Sequence, residues 1–378
     1  MTGLYVMDNT ETLARRIAEK GASAAAEAHS LARLAGAVAG PQAPPKLRAG
    51  LIVTRTPLRV SFAGGGTDFA GFYEHEAGAV LSTAIDKYVY VTLKRHDAMF
   101  GAPIRLNYSE TEQVDTVGEV RNDIARACFQ LLAIEPPIYM STVADIPASS
   151  GLGSSSSFCV GLLNALHAWR GEHISAAQLA EEAAYIEIEV LGRPIGKQDH
   201  YAAAFGGFNL FHFLPGGGVS VEAQRFGPGA RRRLFDHLLM FWTGIERQAA
   251  GVLAEQRSNI ASRRAELVEL KSQAWELQQA LAGNFNPQAF GRALDQGWRT
   301  KCRLAATIST ARIDDWYTRA LEAGAWGGKL CGAGGGGFFL FAVPPERQTA
   351  VRAALAELKE LGMHSEPQGS RVLMPHVE

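Results

Sequence analysis

The sequence predicts an α+β fold, on three observations. Strand-like and helical segments are both numerous, yet they do not alternate strictly as βα units, which argues against a doubly wound parallel sheet. The chain has 378 residues and a 47% hydrophobic composition, enough for two domains. Three glycine-rich loops, at 64–66, 149–157 and 332–337, break the pattern where the backbone must turn sharply or approach something closely.

Residues 11–39 are Ala-rich and helix-prone, and "GPQAPPKLRAG" after them reads as a linker, so 1–50 form an N-terminal appendage. A β-rich run, "LIVTRTPLRVSFAGGGTDF", opens the main body at 51. The alternation of Val, Tyr, Val and Leu in "AVLSTAIDKYVYVTLKRH" predicts a long strand over 79–96. "PIRLNY" and "PIYMSTVA" read as strands, with a short amphipathic helix over 122–134 between them. Helices are expected over 154–169 and 176–191, the second with Leu179, Ala183, Ile186 and Val190 on one face. "GGFNLFHFL" and "HLLMFWTG" predict strands, and 246–281 a single long polar helix, followed by two more helices up to Glu322. "KLCGAGGGGFFLFAV", a helix over 346–361 and a last strand "SRVLM" suggest a β-α-β ending. The main body divides into a first lobe over 51–230 and a second over 231–378.

Composition excludes several functions. The net charge of −1 is spread along the chain, so no basic field for nucleic acid or an acidic membrane is expected. No apolar run is long enough to span a bilayer, and the N-terminus lacks the apolar core of a secretory signal. Cys128, Cys159, Cys302 and Cys331 form no CxxC pair and read as reduced thiols, which points to the cytoplasm. Ten histidines form no HExxH or Cys/His cluster, so no zinc centre is expected.

Two phosphate motifs fail on inspection. "GRPIGKQ" is one residue short of a GxxxxGK[ST] loop and ends in Gln198. "GAGGGG" satisfies GxGxxG, but the strand-like "FFLFAV" follows where a dinucleotide fingerprint needs a helix. "PASSGLGSSSS" differs, because a helix follows it. A Gly-Ser turn feeding a helix N-terminus presents unpaired N–H groups and the positive end of the dipole to an anion. One serine would satisfy an ordinary N-cap, and four in a row exceed that need.

On this motif the chain resembles the GHMP kinases, whose nucleotide loop has the form P-x-x-x-G-L-G-S-S-[AS]. "PLRVSFAGGGTDF" and "KLCGAGGGGFFLF" resemble the family's first and third motifs, in the same order, so the likeness runs from about Thr54 to Pro375. The resemblance implies a two-lobed α+β kinase with its site in the cleft between the lobes, using ATP and Mg²⁺ on a small hydroxyl compound. Pro147, Ser150, Gly151, Leu152, Gly153, Ser154, Ser155 and Ser156 would then cradle the nucleotide. Ser155 and Glu187 would hold the metal, with Glu189 the competing acid and Glu181 and Glu182 ordinary solvated glutamates.

"GRPIGKQDHYAAAF" resembles the family's G-x-P-x-G-x-D segment with one extra residue, which puts the catalytic base at Asp199. Arg59 would pair with Asp199 and offset charge on the phosphoryl group. Asp68, with Gly65, Gly66 and Thr67, would bind substrate hydroxyls, and Lys197 would join them. Gly334 and Gly335 would floor the cleft, with tight packing the alternative for that loop. "RTPLRVSFAGGGTD", "GAVLSTAIDKYVYV" and "GKQDHYAAAFGGFN" further resemble the branch acting on D-glycero-D-manno-heptose 7-phosphate at its anomeric O1. A sugar phosphate needs a second basic pocket, for which Arg55, Lys87, Arg193, Lys197, Arg247 and Lys329 are candidates. His200, where the family implies a polar amide, departs from the pattern. A fucokinase-like free-sugar 1-kinase and a non-catalytic sensor are the alternatives, and a homodimer is left open.

Overall fold

The computed structural model describes residues 49–377, apart from positions 97, 98, 100, 247, 248 and 284. The N-terminal appendage, up to residue 48, and Arg247 therefore lie outside the described residues.

Two sheets organise the chain. The larger uses β1 (Ala49–Ala63), β2 (Gly78–Lys94), β3 (Ile104–Asn107), β4 (Thr111–Val114), β5 (Ile138–Ala144), β6 (Phe208–Phe213) and β7 (Val219–Ala223). The smaller contains β8 (Leu238–Trp242), β9 (Gly327–Leu330), β10 (Phe338–Ala342) and the two-residue β11 (Lys359–Glu360). The final strand, β12 (Arg371–Val377), returns to the larger sheet and pairs with β1. A cut at residue 230 thus leaves one strand of the first sheet in the second segment.

β2 is long enough to serve two partners. Residues Gly78–Thr83 pair with β6 and Val89–Lys94 pair with β5, which fits the alternation read from the sequence. Only β3 and β5 run parallel among the described pairings.

The helices are α1 (Ala70–Tyr73), α2 (Asp123–Leu131), α3 (Ser154–Trp169), α4 (Ala176–Ala184), α5 (Gln198–Phe205), α6 (Ala230–Asp236), α7 (Ala249–Ser258), α8 (Arg264–Ala282), α9 (Pro287–Cys302), α10 (Ala311–Glu322) and α11 (Gln348–Ala354). Helix α3 is apolar almost all round, as a helix enclosed by other elements must be. Cys159, Val160, Leu162, Leu163 and Leu166 are inaccessible, and the helix packs on β1 and β2. A second apolar cluster joins Phe339 and Phe341 of β10 to Trp316 and Tyr317 of α10.

Three expectations are corrected. The helix expected over 246–281 is two helices, α7 and α8, separated by a turn over 259–263 where the Asn259 side chain donates to the Leu304 carbonyl (2.9 Å). The helix expected over 346–361 shrinks to α11 before β11 begins. α4 continues as a π turn, Tyr185–Val190, in which the Leu191 N–H donates to the Ile186 carbonyl five residues back (2.9 Å). That winding takes Val190 off the buried face and leaves it 48% exposed. The cysteines among the described residues are free thiols, as expected, and the sulfurs of Cys128 and Cys159 lie 4.0 Å apart across α2 and α3.

Candidate active site

The 149–157 loop enters α3 without a serine cap. Gly153 occupies the N-cap in the left-handed region (φ +79°), with no side-chain cap hydrogen bond. The first intrahelical bond runs from Ser157 N–H to the Gly153 carbonyl (2.9 Å), so the amides of the first turn point outward unpaired. The ordinary N-cap reading of the serines is therefore set aside. Ser157 instead donates to the Pro57 carbonyl (2.9 Å), Ser150 is fully buried with its hydroxyl unpartnered, and Pro147 is exposed.

The third glycine loop backs the second. A Cβ on Gly151 (φ +82°) would lie 2.8 Å from the Cys331 carbonyl, and one on Gly332 (φ +66°) 2.6 Å from the Gly151 Cα. Gly334 and Gly335 are fixed against Ile308, with Gly335 N–H bonded to its carbonyl (2.7 Å). This loop is therefore packed closely against the Gly151 backbone and Ile308.

β1 and α5 bring the two charged candidates together. Arg59 grips Asp199 through Nε–Oδ1 and Nη2–Oδ2 bonds, both 2.7 Å, and its Nη1 donates to the Gly151 carbonyl (2.8 Å). A Cβ on Gly153 would sit 3.4 Å from Asp199 Oδ2, so this carboxylate borders the helix entry. Asp68 is buried and accepts from Gly66 N–H (3.0 Å), Gln198 Nε2 (3.1 Å) and Gln198 N–H (3.3 Å). Burial, followed by the charge of Asp199, raises its pKa above the usual carboxylate range.

Other candidates fall elsewhere. Thr67 is a backbone pin, donating to the Gly64 carbonyl (2.8 Å) and accepting from Ala79 N–H (3.1 Å). Gly65 lies against Gln198, and Gly66 faces Leu267. Lys197 is taken up by Glu181 (2.9 Å) and the Gly217 carbonyl (2.8 Å). Glu181 also accepts from Tyr201, and Glu182 bonds His167 (2.7 Å), so neither glutamate is merely solvated. Arg55 pairs with Glu366 (3.4 Å) and Lys87 with Asp86 (3.1 Å).

Glu187, on the π turn, is fully buried, whereas Glu189 is exposed. Its Oε1 accepts from Ser155 Oγ (2.6 Å) and Arg193 Nη1 (2.6 Å), and its Oε2 from Ser156 Oγ (2.7 Å) and His200 Nε2 (2.9 Å). Burial pushes the pKa up, but the bond and charge of His200 and the two serine bonds outweigh it and hold the group down at about 2. The histidine that departed from the family pattern thus bonds the candidate metal acid. Ser155 and Glu187 supply two adjacent hard oxygens beside the uncapped amides, a donor set that suits Mg²⁺, which keeps waters and substrate oxygens for its other positions. Among the described residues no cluster of three or more His, Cys, Asp or Glu forms a fuller cage.

Two lysines beneath the loops complete the charged surroundings. Lys329 donates to the Ser61 carbonyl (2.8 Å) and Lys301 to that of Gly332. Burial lowers them to about 7 and about 8 respectively. Lys329 is thus a buried strut and not a surface cation. Lys301 was missed, though Leu294, Trp298 and Lys301 at four-three spacing place it on the buried face of α9, where a cation is unusual.

Comparison with known proteins identifies the family of the chain. Residues 117–207 match the model for the GHMP kinases N terminal domain and 276–361 that for the GHMP kinases C terminal domain. A D-glycero-alpha-D-manno-heptose 7-phosphate kinase of Campylobacter jejuni is 32% identical over 316 residues, 80% of this chain and 93% of that protein. An L-fucokinase/L-fucose-1-P guanylyltransferase of Bacteroides fragilis is 26% identical over 79% of this chain and 35% of its own length. The crystal structure of a D-glycero-D-manno-heptose 1-phosphate kinase from Bacteriodes thetaiotaomicron superposes with a TM-score of 0.70 at 25% identity, covering 85% of this chain and 99% of that one.

Proposed function

This chain belongs to the GHMP kinases and is a sugar kinase, and on that premise we propose that it transfers the γ-phosphoryl of ATP to the anomeric O1 of D-glycero-D-manno-heptose 7-phosphate. The observation that carries the reading is the Arg59–Asp199 pair set against the uncapped entry of α3. Phosphoryl transfer needs a phosphate cradle, a counter-cation and a group that orients the nucleophile, and the proximity of the α3 entry, the Ser155–Glu187 pair and Asp199 supports this assignment. The amides of Gly151–Ser156 take the phosphate charge at the positive end of α3. Asp199, oriented by Arg59, accepts the proton of the acceptor hydroxyl as the new O–P bond forms and the bond to ADP breaks. Asp68, held by Gln198, receives a sugar hydroxyl. Ser155 and Glu187 would hold Mg²⁺, which when bound neutralises the bridging phosphates. Such a reaction belongs in the cytoplasm, and among the described residues no helix is long and apolar enough to cross a membrane.

A second reading, a free-sugar 1-kinase, is favoured by one observation. Arg55, Lys87, Arg193, Lys197 and Lys329 all have partners already, so none stands ready for a distal phosphate. A coupled ADP-release assay separates the two. The first reading expects turnover with heptose 7-phosphate at least tenfold above that with heptose 1-phosphate, fucose or mannose. Preference for a free sugar selects the second, and no turnover with any of them contradicts both.

A further inference from the structure

Arg193 was expected near a distal sugar phosphate, and the structure puts it at the nucleotide loop instead. Its Nη1 donates to Ser155 Oγ and to Glu187 Oε1, both at 2.6 Å, and those two oxygens are themselves 2.6 Å apart. Its Nη2 is held by both carboxylate oxygens of Asp123, at 2.9 and 3.0 Å. The guanidinium therefore fills the notch between the only two side-chain oxygens proposed to hold Mg²⁺. Oxygens bonded to that ion at about 2.0–2.1 Å leave no room for a guanidinium nitrogen in the same notch. On the opposite side of the two oxygens, repulsion between like charges opposes joint occupancy.

The surroundings let the side chain leave. Glu187 is fully buried, but the Arg193 side chain is 29% exposed and Asp123 45%. Gly192 before it (φ +63°) has open space around it, while Arg193 N–H stays fixed to the Glu187 carbonyl (2.9 Å). The backbone is thus anchored and the head group can pivot about Asp123. Burial explains why a stand-in is needed: without the guanidinium the buried Glu187 carboxylate would keep only Ser155, Ser156 and His200 as partners.

We propose that Arg193 is an exchangeable cation that occupies the metal's notch on Ser155 and Glu187 when no nucleotide is bound, and yields it on binding of the metal–nucleotide complex while Asp123 retains the guanidinium beside the phosphates. This rests on the nucleotide reading above and adds a coupling to it. Free ATP meets a site whose acid is already neutralised, and the gain from Mg²⁺ is reduced by the work of displacing Arg193. The coupling is the ratio of ATP dissociation constants in EDTA and in Mg²⁺, measured by calorimetry without turnover. Arg193→Gln removes the competitor, and the ratio rises by about tenfold, within the usual range of ligand coupling. Asp123→Asn removes the second anchor, so the guanidinium rests harder on Glu187 and the ratio falls by a few-fold.

Opposite shifts in the two variants support exchange. Equal weakening of ATP binding in both buffers, with the ratio unchanged, overturns it and makes Arg193 a plain phosphate ligand. If Arg193→Gln does not fold, the Asp123→Asn ratio alone decides. Absence of ATP binding by the unaltered chain in either buffer overturns the nucleotide reading itself, a result distinct from an unchanged ratio.

Discussion

Asp199→Asn lowers kcat by about 10²–10⁴-fold, the usual worth of a positioned general base. The asparagine keeps the shape and one oxygen for Arg59 but no longer takes a proton. Asp199 touches the loop through Arg59, whose third nitrogen bonds Gly151, so ATP affinity changes by only a few-fold. Single-turnover ADP formation together with ATP calorimetry separates the two effects. Turnover in the variant within threefold of the unaltered chain would remove Asp199 from the chemistry. Loss of ATP binding in parallel with turnover would make the pair structural.

Glu187→Gln has the largest effect on stability, about 3–5 kcal/mol, because it removes a fully buried carboxylate bonded by Ser155, Ser156, Arg193 and His200. Arg193 can turn to solvent through its exposed edge, but His200 is wholly enclosed and its Nδ1 has no partner. Burial of a charge without compensation costs more than the loss of one hydrogen bond. Urea melts of this variant and of Glu189→Gln make the comparison internal. Glu189 is exposed on the same turn, and its replacement shifts stability by less than about 0.5 kcal/mol. Equal effects of the two would show that the four bonds at Glu187 contribute little.

Elements with one clear periodicity were readable in the sequence. Ser154–Trp169 forms the helix its composition implied, and β2 runs nearly the span its alternation set. Arg59, Asp199, Ser155 and Glu187 were named from motif positions, and the fold brings them together across separations of 140 and 32 residues. What stayed hidden depends on tertiary partners. The π turn that aims Glu187 inward has the composition of an ordinary helix, and only its five-residue hydrogen bond distinguishes it. The return of β12 to β1 needs a long connection that local pattern does not specify. Arg193, Lys197 and Lys329 looked like free cations because a sequence shows a charge and not its partner. Each is instead committed: to Asp123 and Glu187, to Glu181, and to the Ser61 carbonyl. The glycines of 332–337 read equally well as a cleft floor or as tight packing, since both need a missing Cβ. The close approach of Gly151 and Gly332 fits either.

All of the chemistry rests on a single placement of the triphosphate. A crystal structure with a non-hydrolysable ATP analogue tests it directly. The β- and γ-phosphate oxygens are expected within hydrogen-bond distance of the amides between Gly151 and Ser156, with the terminal phosphorus facing Asp199. An analogue seated elsewhere, with that loop contacting only the protein's own backbone, would contradict it.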